Sequence, residues 1–437
     1  MILLSALLAF SAQVDLKPWP RLDEQTPAPV AAAQPATAMA VASESGDSLD
    51  QQDPEYPRVA WDKTHEHYGK KVEVVATVVR THDSGKATFL NFHEEWKGKF
   101  TVVIFASKAC DFSVVPADFF VGKEIRVRGK VKKYKGGPEI VVESIDQIAC
   151  TDGTVITANP ATAPKAAPRV GPVAEGVRVM SWNLENFFDV YDDPYSDDQR
   201  TNPSFVGAQR KQRMSDVIHA LNPDVLCVQE VENRAVLEAF NRDYLKDLGY
   251  EVVLFEGNDG RGIDVGVLTR EPVGAVTSYR HLKFQDDLGR EQQFRRDLLR
   301  VHIGGKMQAD VYVVHFKSQH GGENADTIRT SEARAAAKII ADEMKKDAGY
   351  RAFLCGDLNE VAEEQTVKEL LAVGLVDSCA GTEKYTYNQK PYLTRIDFLL
   401  ATPALAEEMK SSEIVDAMEG IDLRCCSDHY PVVAEFQ

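Results

Sequence analysis

Apolar and polar positions repeat with two different periods along this chain, and the change of period divides it. Between residues 57 and 150 a strand pattern runs almost throughout: VEVVATVVR (72–80), ATFLNF (87–92), FTVVIFA (100–106), EIRVRGKVKKY (124–134) and PEIVVESI (138–145). In the fourth run Ile125, Val127, Gly129 and Val131 alternate with Arg126, Arg128, Lys130 and Lys132. That alternation predicts a strand with one apolar and one basic face. DFSVVPADFFVG (111–122) reads as a short helix between the third and fourth strands.

From Val177 to Gln437 strands alternate with helices. Met214, Val217, Ile218 and Leu221 fall at i, i+3, i+4 and i+7, with Pro223 just beyond, and a second helix carries Ala336, Ile339, Ile340 and Met344 on one face. Around them lie the apolar runs VRVMSWN, DVLCVQE, DVGVLTR, DVYVVHFKS, FLCGDLN, RIDFLLAT and YPVVAEF. Many buried strands with interspersed helices predict an enzyme-sized α/β or α+β domain.

Two stretches have neither period. Residues 13–56 are rich in Ala, Pro, Ser and Gln and cannot bury a core, so they are expected to be a disordered tether. Residues 151–176 repeat that composition as an Ala/Pro-rich linker. Residues 1–12 (MILLSALLAFSA) have the apolar run of a secretory signal without a preceding Lys or Arg, and imply an extracytoplasmic protein, secreted or periplasmic.

Composition narrows the class. With 437 residues, 44% hydrophobic and 27% charged, the chain is a soluble globular protein of more than one domain. It has no apolar run long enough for an ordinary transmembrane helix, so integral membrane association is not expected. A net charge of −17 excludes a protein that coats nucleic acid with its whole surface. The charge is uneven, however: residues 57–150 carry +4 and residues 177–437 carry −15. The small domain is therefore the basic one. Its Trp96 and Tyr134 lie among lysines, and together with Arg126, Arg128, Lys130 and Lys132 they are candidate nucleic-acid contacts, by base stacking and phosphate neutralisation. The seven cysteines show no metal-type spacing. Cys227 and Cys355 read as buried thiols; Cys110 could pair with Cys150, and Cys379 with Cys425 or Cys426.

The strand ends of the large domain collect Asn183, Glu230, His315, Asp357, Asn359, Asp397, Asp428 and His429. Carboxylates and amides without cysteine suit Mg²⁺ or Mn²⁺. The histidines add proton transfer near neutral pH, and Lys317 and Arg395 could hold an anionic substrate. Such a set can support metal-assisted attack of water on phosphorus.

The succession SWNLEN, QEVEN, HFKS, GDLN, RIDF and SDHYPV resembles the endonuclease/exonuclease/phosphatase superfamily over essentially all of residues 177–437. The small domain resembles an OB-fold. These resemblances imply a four-layer sandwich of two packed sheets flanked by helices, preceded by a small all-β barrel. They also imply roles. Glu230 would bind the divalent metal with Asn183 nearby and Asp428 as a further ligand. His429 would be the general base or balance charge on the scissile phosphate, oriented by Asp397. Asp357 would position or deprotonate water, Asn359 would hold a phosphate oxygen, and His315 would sit at the leaving-group side. AP-site enzymes carry Tyr where this chain has His315, and the WCDR-type motif of inositol phosphatases is absent. That leaves a secreted nuclease acting on DNA or RNA, DNA being preferred, with a sphingomyelinase-like lipid phosphodiesterase, another phosphoesterase of the superfamily or an inactive binding protein as alternatives. A lipid enzyme should expose an aromatic hairpin, for which Tyr385, Tyr387 and Tyr392 near Pro391 are the nearest candidates.

Overall fold

The structure, a computed structural model, describes residues 54–84, 87–112, 114–156, 176–191, 206–389, 392–419 and 421–437. The expected leader (1–12), nearly all of the tether (13–56) and most of the linker (151–176) lie outside the described residues. No described helix is long and apolar enough to cross a membrane.

The small domain contains β1 (Lys71–Thr77), β2 (Arg80–Asp83), β3 (Ala87–Asn91), β4 (Thr101–Phe105), the one-turn helices α1 (Ala106–Ala109) and α2 (Pro116–Phe119), then β5 (Glu124–Lys130), β6 (Lys132–Tyr134), β7 (Gly137–Val141) and β8 (Ile148–Cys150). Two sheets, ordered β1-β5-β8 and β2-β3-β4-β7-β6, enclose one apolar core that includes Val72, Val74, Leu90, Phe100, Ile125, Val127 and Ile140. The inward members of the alternating fourth run are thus in the core, as its period requires. Of the single helix expected over 111–122 only the turn Pro116–Phe119 is helical, with Pro116 at its first position, where its missing N–H is tolerated; α1 ends at Ala109, before that stretch.

The large domain runs β9 (Val177–Phe187), α3 (Ala208–Leu221), β10 (Val225–Val231), α4 (Arg234–Tyr244), β11 (Glu251–Leu254), β12 (Asp264–Thr269), β13 (Val273–Ser278), β14 (Phe284–Gln285), β15 (Glu291–Gln292), β16 (Leu298–Ile303), β17 (Ala309–His315), α5 (Glu323–Lys346), β18 (Ala352–Asp357), α6 (Gln365–Ala372), β19 (Val376–Asp377), β20 (Asp397–Ala401), α7 (Pro403–Ala406), β21 (Met409–Ile414) and β22 (Val432–Phe436). One six-stranded sheet is ordered β11-β12-β10-β9-β22-β21 and the other β13-β16-β17-β18-β20-β19. Each has one central parallel pair, β9 with β10 and β17 with β18, joined through α3 and α5 respectively. The largest core lies between the sheets: Val311, Val313, Phe353 and Leu399 of one meet Val179, Cys227 and Val432 of the other. The alternate residues Tyr312, Val314, Leu354 and Leu400 pack instead against α5 and α6. Helix, sheet, sheet, helix is the four-layer arrangement expected.

One covalent bond joins the domains. Cys110, just after α1, forms a disulfide with Cys425, their Cα atoms 5.8 Å apart. The expected pairings of Cys110 with Cys150 and of Cys379 with Cys425 or Cys426 are therefore corrected: Cys150, Cys379 and Cys426 are buried thiols, as are Cys227 and Cys355. Arg213 of α3 reinforces the junction, donating to the Cys110 carbonyl at 3.2 Å and pairing with Asp111 at 3.5 Å.

Candidate active site

The ends of both parallel pairs open into one cleft of about 1130 Å³. In the first sheet β9 brings Asn183 and β10 brings Glu230. The Asn183 side-chain amide donates to Glu230 Oε1 at 3.3 Å and to Asp357 Oδ2 at 3.1 Å, so it bridges the two sheets. Glu230 sits in a β-bulge between Gln229 and Val231 with φ +60°, which turns its carboxylate out of the strand. Of the seven non-glycine residues with positive φ among the described residues, three line this cleft, Asn186, Glu230 and Asn359, and a fourth, Glu185, immediately precedes Asn186. Each costs on the order of 1–3 kcal/mol. Hydrogen bonds hold them, including Asn186 N to Glu230 Oε2 at 2.9 Å and Asn359 N to Asp357 Oδ1 at 2.8 Å.

The second sheet supplies the rest. His315 and Asp357 are register partners on β17 and β18, and Asp397 pairs with Asp357 across to β20. His315 Nε2 lies 3.6 Å from Asp357 Oδ2 and 3.9 Å from Glu230 Oε1. Asn359 donates to the Phe316 carbonyl at 2.9 Å. Asp397 Oδ2 lies 2.7 Å from His429 Nδ1, and the other ring nitrogen of His429 is 3.9 Å from Asp357 and 3.8 Å from Asp428.

Ser427 fastens the loop that carries His429. Its hydroxyl donates to the Asn183 carbonyl at 2.6 Å and accepts the His429 N–H at 3.0 Å. The Asp428 N–H goes to Glu185 at 3.0 Å, and Trp182 donates to the His429 carbonyl at 2.9 Å.

Burial and charge set the protonation states. Burial, reinforced by Arg296 and Arg261, holds His315 well below the usual imidazole range, so it is neutral. Burial opposes charge on His429 too, but Asp397 outweighs it, with Asp357 and Asp428 adding, and the ring is pushed well above its ordinary value. Burial pushes the Asp357 carboxyl up to about 7, with Asp397 raising it further and His429 pulling it down.

Glu230, His315 and Asp357 can each place a ligand atom within 4.8 Å of the others, and so can Asp357, Asp397 and His429. Two carboxylates beside a neutral imidazole make a donor set that fits a divalent cation. The second trio is committed to a carboxylate–imidazole hydrogen bond. Asp428 belongs to neither trio.

Five sequence candidates lie elsewhere: Arg395, and Arg126, Arg128, Lys130 and Lys132 of the small domain. Arg395 does not line the cleft. It ion-pairs with Asp377, donates to the Cys379 carbonyl at 2.8 Å and lies over the Phe398 ring, so its charge is already matched. In the small domain, Arg128 is bound with Arg58 to the buried Glu73, at 2.8 and 2.9 Å, and Lys132 faces Glu143 at 4.0 Å. None of Arg126, Arg128, Lys130 and Lys132 lines the groove that Trp96 and Tyr134 share with Arg80, Lys97, Lys99 and Lys135. That groove, about 630 Å³, runs over the β2-β3-β4-β7-β6 sheet. Of the aromatic hairpin candidates, Tyr387 packs on His429 at 5.2 Å and Tyr385 on Tyr430, leaving Tyr392 exposed with Leu393. Pro391 is outside the described residues.

Several positioning residues went unread in the sequence. Thr386 accepts the N–H groups of Ile396 and Asp397, and Arg210 of α3 reaches the Leu184, Glu185 and Cys426 carbonyls. Their only sequence signal is a polar residue near an apolar run.

Fold and site together define a hydrolase of phosphate esters. Residues 178–393 match the Endonuclease/Exonuclease/phosphatase family, and residues 72–148 match the OB-fold nucleic acid binding domain. The large domain belongs to that phosphoesterase family and the small one is an OB-fold. No curated protein matches the chain. Among solved structures it is similar to the human Nocturnin catalytic domain with bound sulfate anion, at 16% identity and a TM-score of 0.43, over 61% of this chain and 96% of that one. An AP endonuclease from Archaeoglobus fulgidus is 22% identical with a TM-score of 0.41, over 60% and 99%. The mannosyl-6-phosphatase Bt3783 of Bacteroides thetaiotaomicron is 18% identical with a TM-score of 0.44, over the same shares.

Proposed function

We propose that the chain is an exported, divalent-cation-dependent nuclease that hydrolyses phosphodiester bonds of DNA, with RNA as the alternative polymer. The observation that carries the choice of nucleic acid is the small domain's groove, where exposed Trp96 and Tyr134 stand among Arg80, Lys97, Lys99 and Lys135. Stacking faces within a cationic trough suit single-stranded nucleic acid. One exposed tyrosine and its neighbouring leucine are little for a lipid-inserting hairpin, which disfavours a membrane substrate. The apolar leader and a disulfide between domains both support export to an oxidising compartment.

Glu230, His315 and Asp357 would hold Mg²⁺ or Mn²⁺, which when bound supplies Lewis acidity to the phosphoryl centre. The chain's own groups do the rest. Asp397 fixes the tautomer of His429 by taking Nδ1–H, leaving Nε2 to face the cleft and exchange a proton with water or the phosphate. Asp357, ionised when it helps hold the cation, can orient water through the oxygen not used by Asn359. Asn183 and Asn359 place fixed amide dipoles at the two sides of the cleft, and Asp428 adds a carboxylate beside His429.

The test is purified protein on supercoiled plasmid with Mg²⁺ or Mn²⁺, beside EDTA and His429→Ala controls. Nicking and then degradation, lost in both controls, is expected. Intact plasmid from folded protein would overturn the DNA reading, and RNA and sphingomyelin would be assayed next.

A further inference from the structure

Part of the cleft lining carries positive charge that the chemistry above does not use. Arg295 is exposed there just before β16, and Arg261 leans into the cleft from the turn before β12. Lys317 follows β17, its ammonium held by the Ser318 carbonyl and hydroxyl and by the His320 carbonyl at 2.8–3.1 Å. Arg296 is buried behind them, paired with Asp259 at 3.0 Å and donating to the Phe316 carbonyl at 3.2 Å. Asp259 also approaches Arg261 at 3.6 Å. On this side two carboxylates, Asp259 and the buried Glu332, stand among four cations, whereas the reacting centre is crowded with Glu230, Asp357, Asp397 and Asp428.

The helix behind this wall is built in an unusual way. Arg329, Thr330, Ser331 and Glu332 of α5 are all buried, a costly arrangement for a helix face unless each group is engaged. Glu332 accepts the Arg295 N–H at 2.8 Å with one oxygen and the Lys317 N–H at 2.7 Å with the other. Arg329 donates to the Lys317 carbonyl at 3.3 Å and pairs with Glu360, next to Asn359. Both main-chain polar groups of Lys317 are thus held by side chains of one helix. The loop bearing Arg261 is pinned to the same place, since Asn258 N reaches the Arg295 carbonyl at 3.1 Å. The entry to one strand, the exit of its neighbour and a turn are set in fixed relation about one buried carboxylate.

We propose that Arg261 and Arg295, backed by Lys317, form a second phosphate subsite that takes a phosphate neighbouring the scissile one, and that Glu332 is its positioning residue. The inference rests on the phosphodiesterase reading and deepens it: the preferred substrate is a polyanionic strand, not an isolated ester. Guanidinium groups suit this task because their forked donors match phosphate oxygens. Glu332 touches no substrate; it sets where the two cations stand.

The experiment compares kcat/KM on a short single-stranded oligonucleotide with that on bis(p-nitrophenyl) phosphate, which has one phosphate. Arg261→Ala, Arg295→Ala, the double variant and Glu332→Gln are measured in the full chain with the cation present. The ratio of the two kcat/KM values should fall about tenfold for each arginine removed. The salt dependence on the oligonucleotide should become shallower by about one in log–log slope per arginine. Glu332→Gln keeps the volume and one acceptor, so the oligonucleotide KM should rise several-fold more than kcat falls. Equal losses on both substrates, or an unchanged salt slope in the double variant, would overturn the subsite. Wild-type protein that cleaves neither diester would instead remove the phosphodiesterase reading, and the subsite with it.

Discussion

Breaking the Cys110–Cys425 bond should uncouple the small domain's stability from that of the large one. If the whole chain unfolds, the cross-link closes a loop spanning a sequence separation of 315. For a loop of that size the chain-entropy relation gives about 6 kcal/mol. The small domain can also unfold alone while β9 onward stays folded. The relevant loop then runs from Cys110 through the linker to Val177, roughly 70 residues, which corresponds to about 4 kcal/mol. For a domain of about 100 residues each kcal/mol moves the midpoint by about 4–8 °C, so a drop on the order of 15 °C or more is expected. The assay is thermal unfolding of wild type and of the Cys110→Ser/Cys425→Ser double variant, with and without a dithiol reductant. The reductant should shift wild type toward the variant and leave the variant in place, because the other five cysteines are buried thiols. Seven reactive thiols in unreduced, denatured protein would refute the pairing. Coincident melting of variant and wild type would refute the coupling.

Other perturbations test the interior and the site. Gly356 has φ +133°, and a Cβ there would lie 2.0 Å from the Val314 carbonyl, so Gly356→Ala should force β17 and β18 apart. A loss of about 2 kcal/mol or more in denaturant stability, with loss of activity, is expected, and a midpoint equal to wild type would count against the tight pairing. Asp397→Asn should leave circular dichroism unchanged and lower kcat by about a hundredfold or more, with little change in KM; a comparable kcat would show that His429 does not need this partner. Burial pushes Asp264 up to about 8 and Asp297 up to about 6, each having one oxygen with no hydrogen-bond partner among the described residues. Both carboxyls then hold protons in the folded state that the unfolded chain has released, so their contribution to stability should decline as pH rises from about 4 to 8. Asp264→Asn should flatten that decline in a urea series across pH, and an unaltered slope would contradict it.

The architecture was legible because its determinants are local. Two-residue alternation in Ile125–Val131 and the helical spacing of Met214–Leu221 each state which face is buried, and burial decides the element. The polar residues at strand ends could be collected for the same reason, since a run of apolar residues that stops at Asn183, Glu230 or Asp357 stops where the sheet meets the cleft. What could not be read depends on register between distant strands. Arg128 offers a cation on paper, yet its β5 position lies opposite Glu73 of β1. Arg395 is matched by Asp377, a residue of the edge strand β19. Arg329 and Glu332 are charged helix residues that were not singled out in the sequence, and they are interior because the start of β16 and the end of β17 bring main-chain groups of Arg295 and Lys317 against them. The disulfide is the extreme case: no local pattern relates Cys110 to Cys425.

The placement of the ligating groups makes the cleft a gauge of how the two sheets pack. Glu230 belongs to one sheet, His315 and Asp357 to the other, and the space between them is set by the thickness of the apolar layer beneath, where Phe353 stacks on Phe436 at 6.0 Å. A cation that demands fixed ligand distances would register a thinning or shear of that layer before the fold itself gave way. Trimming a side chain deep in the interface, remote from any reacting atom, would then show first as weakened cation affinity, and the catalytic centre would report on the core.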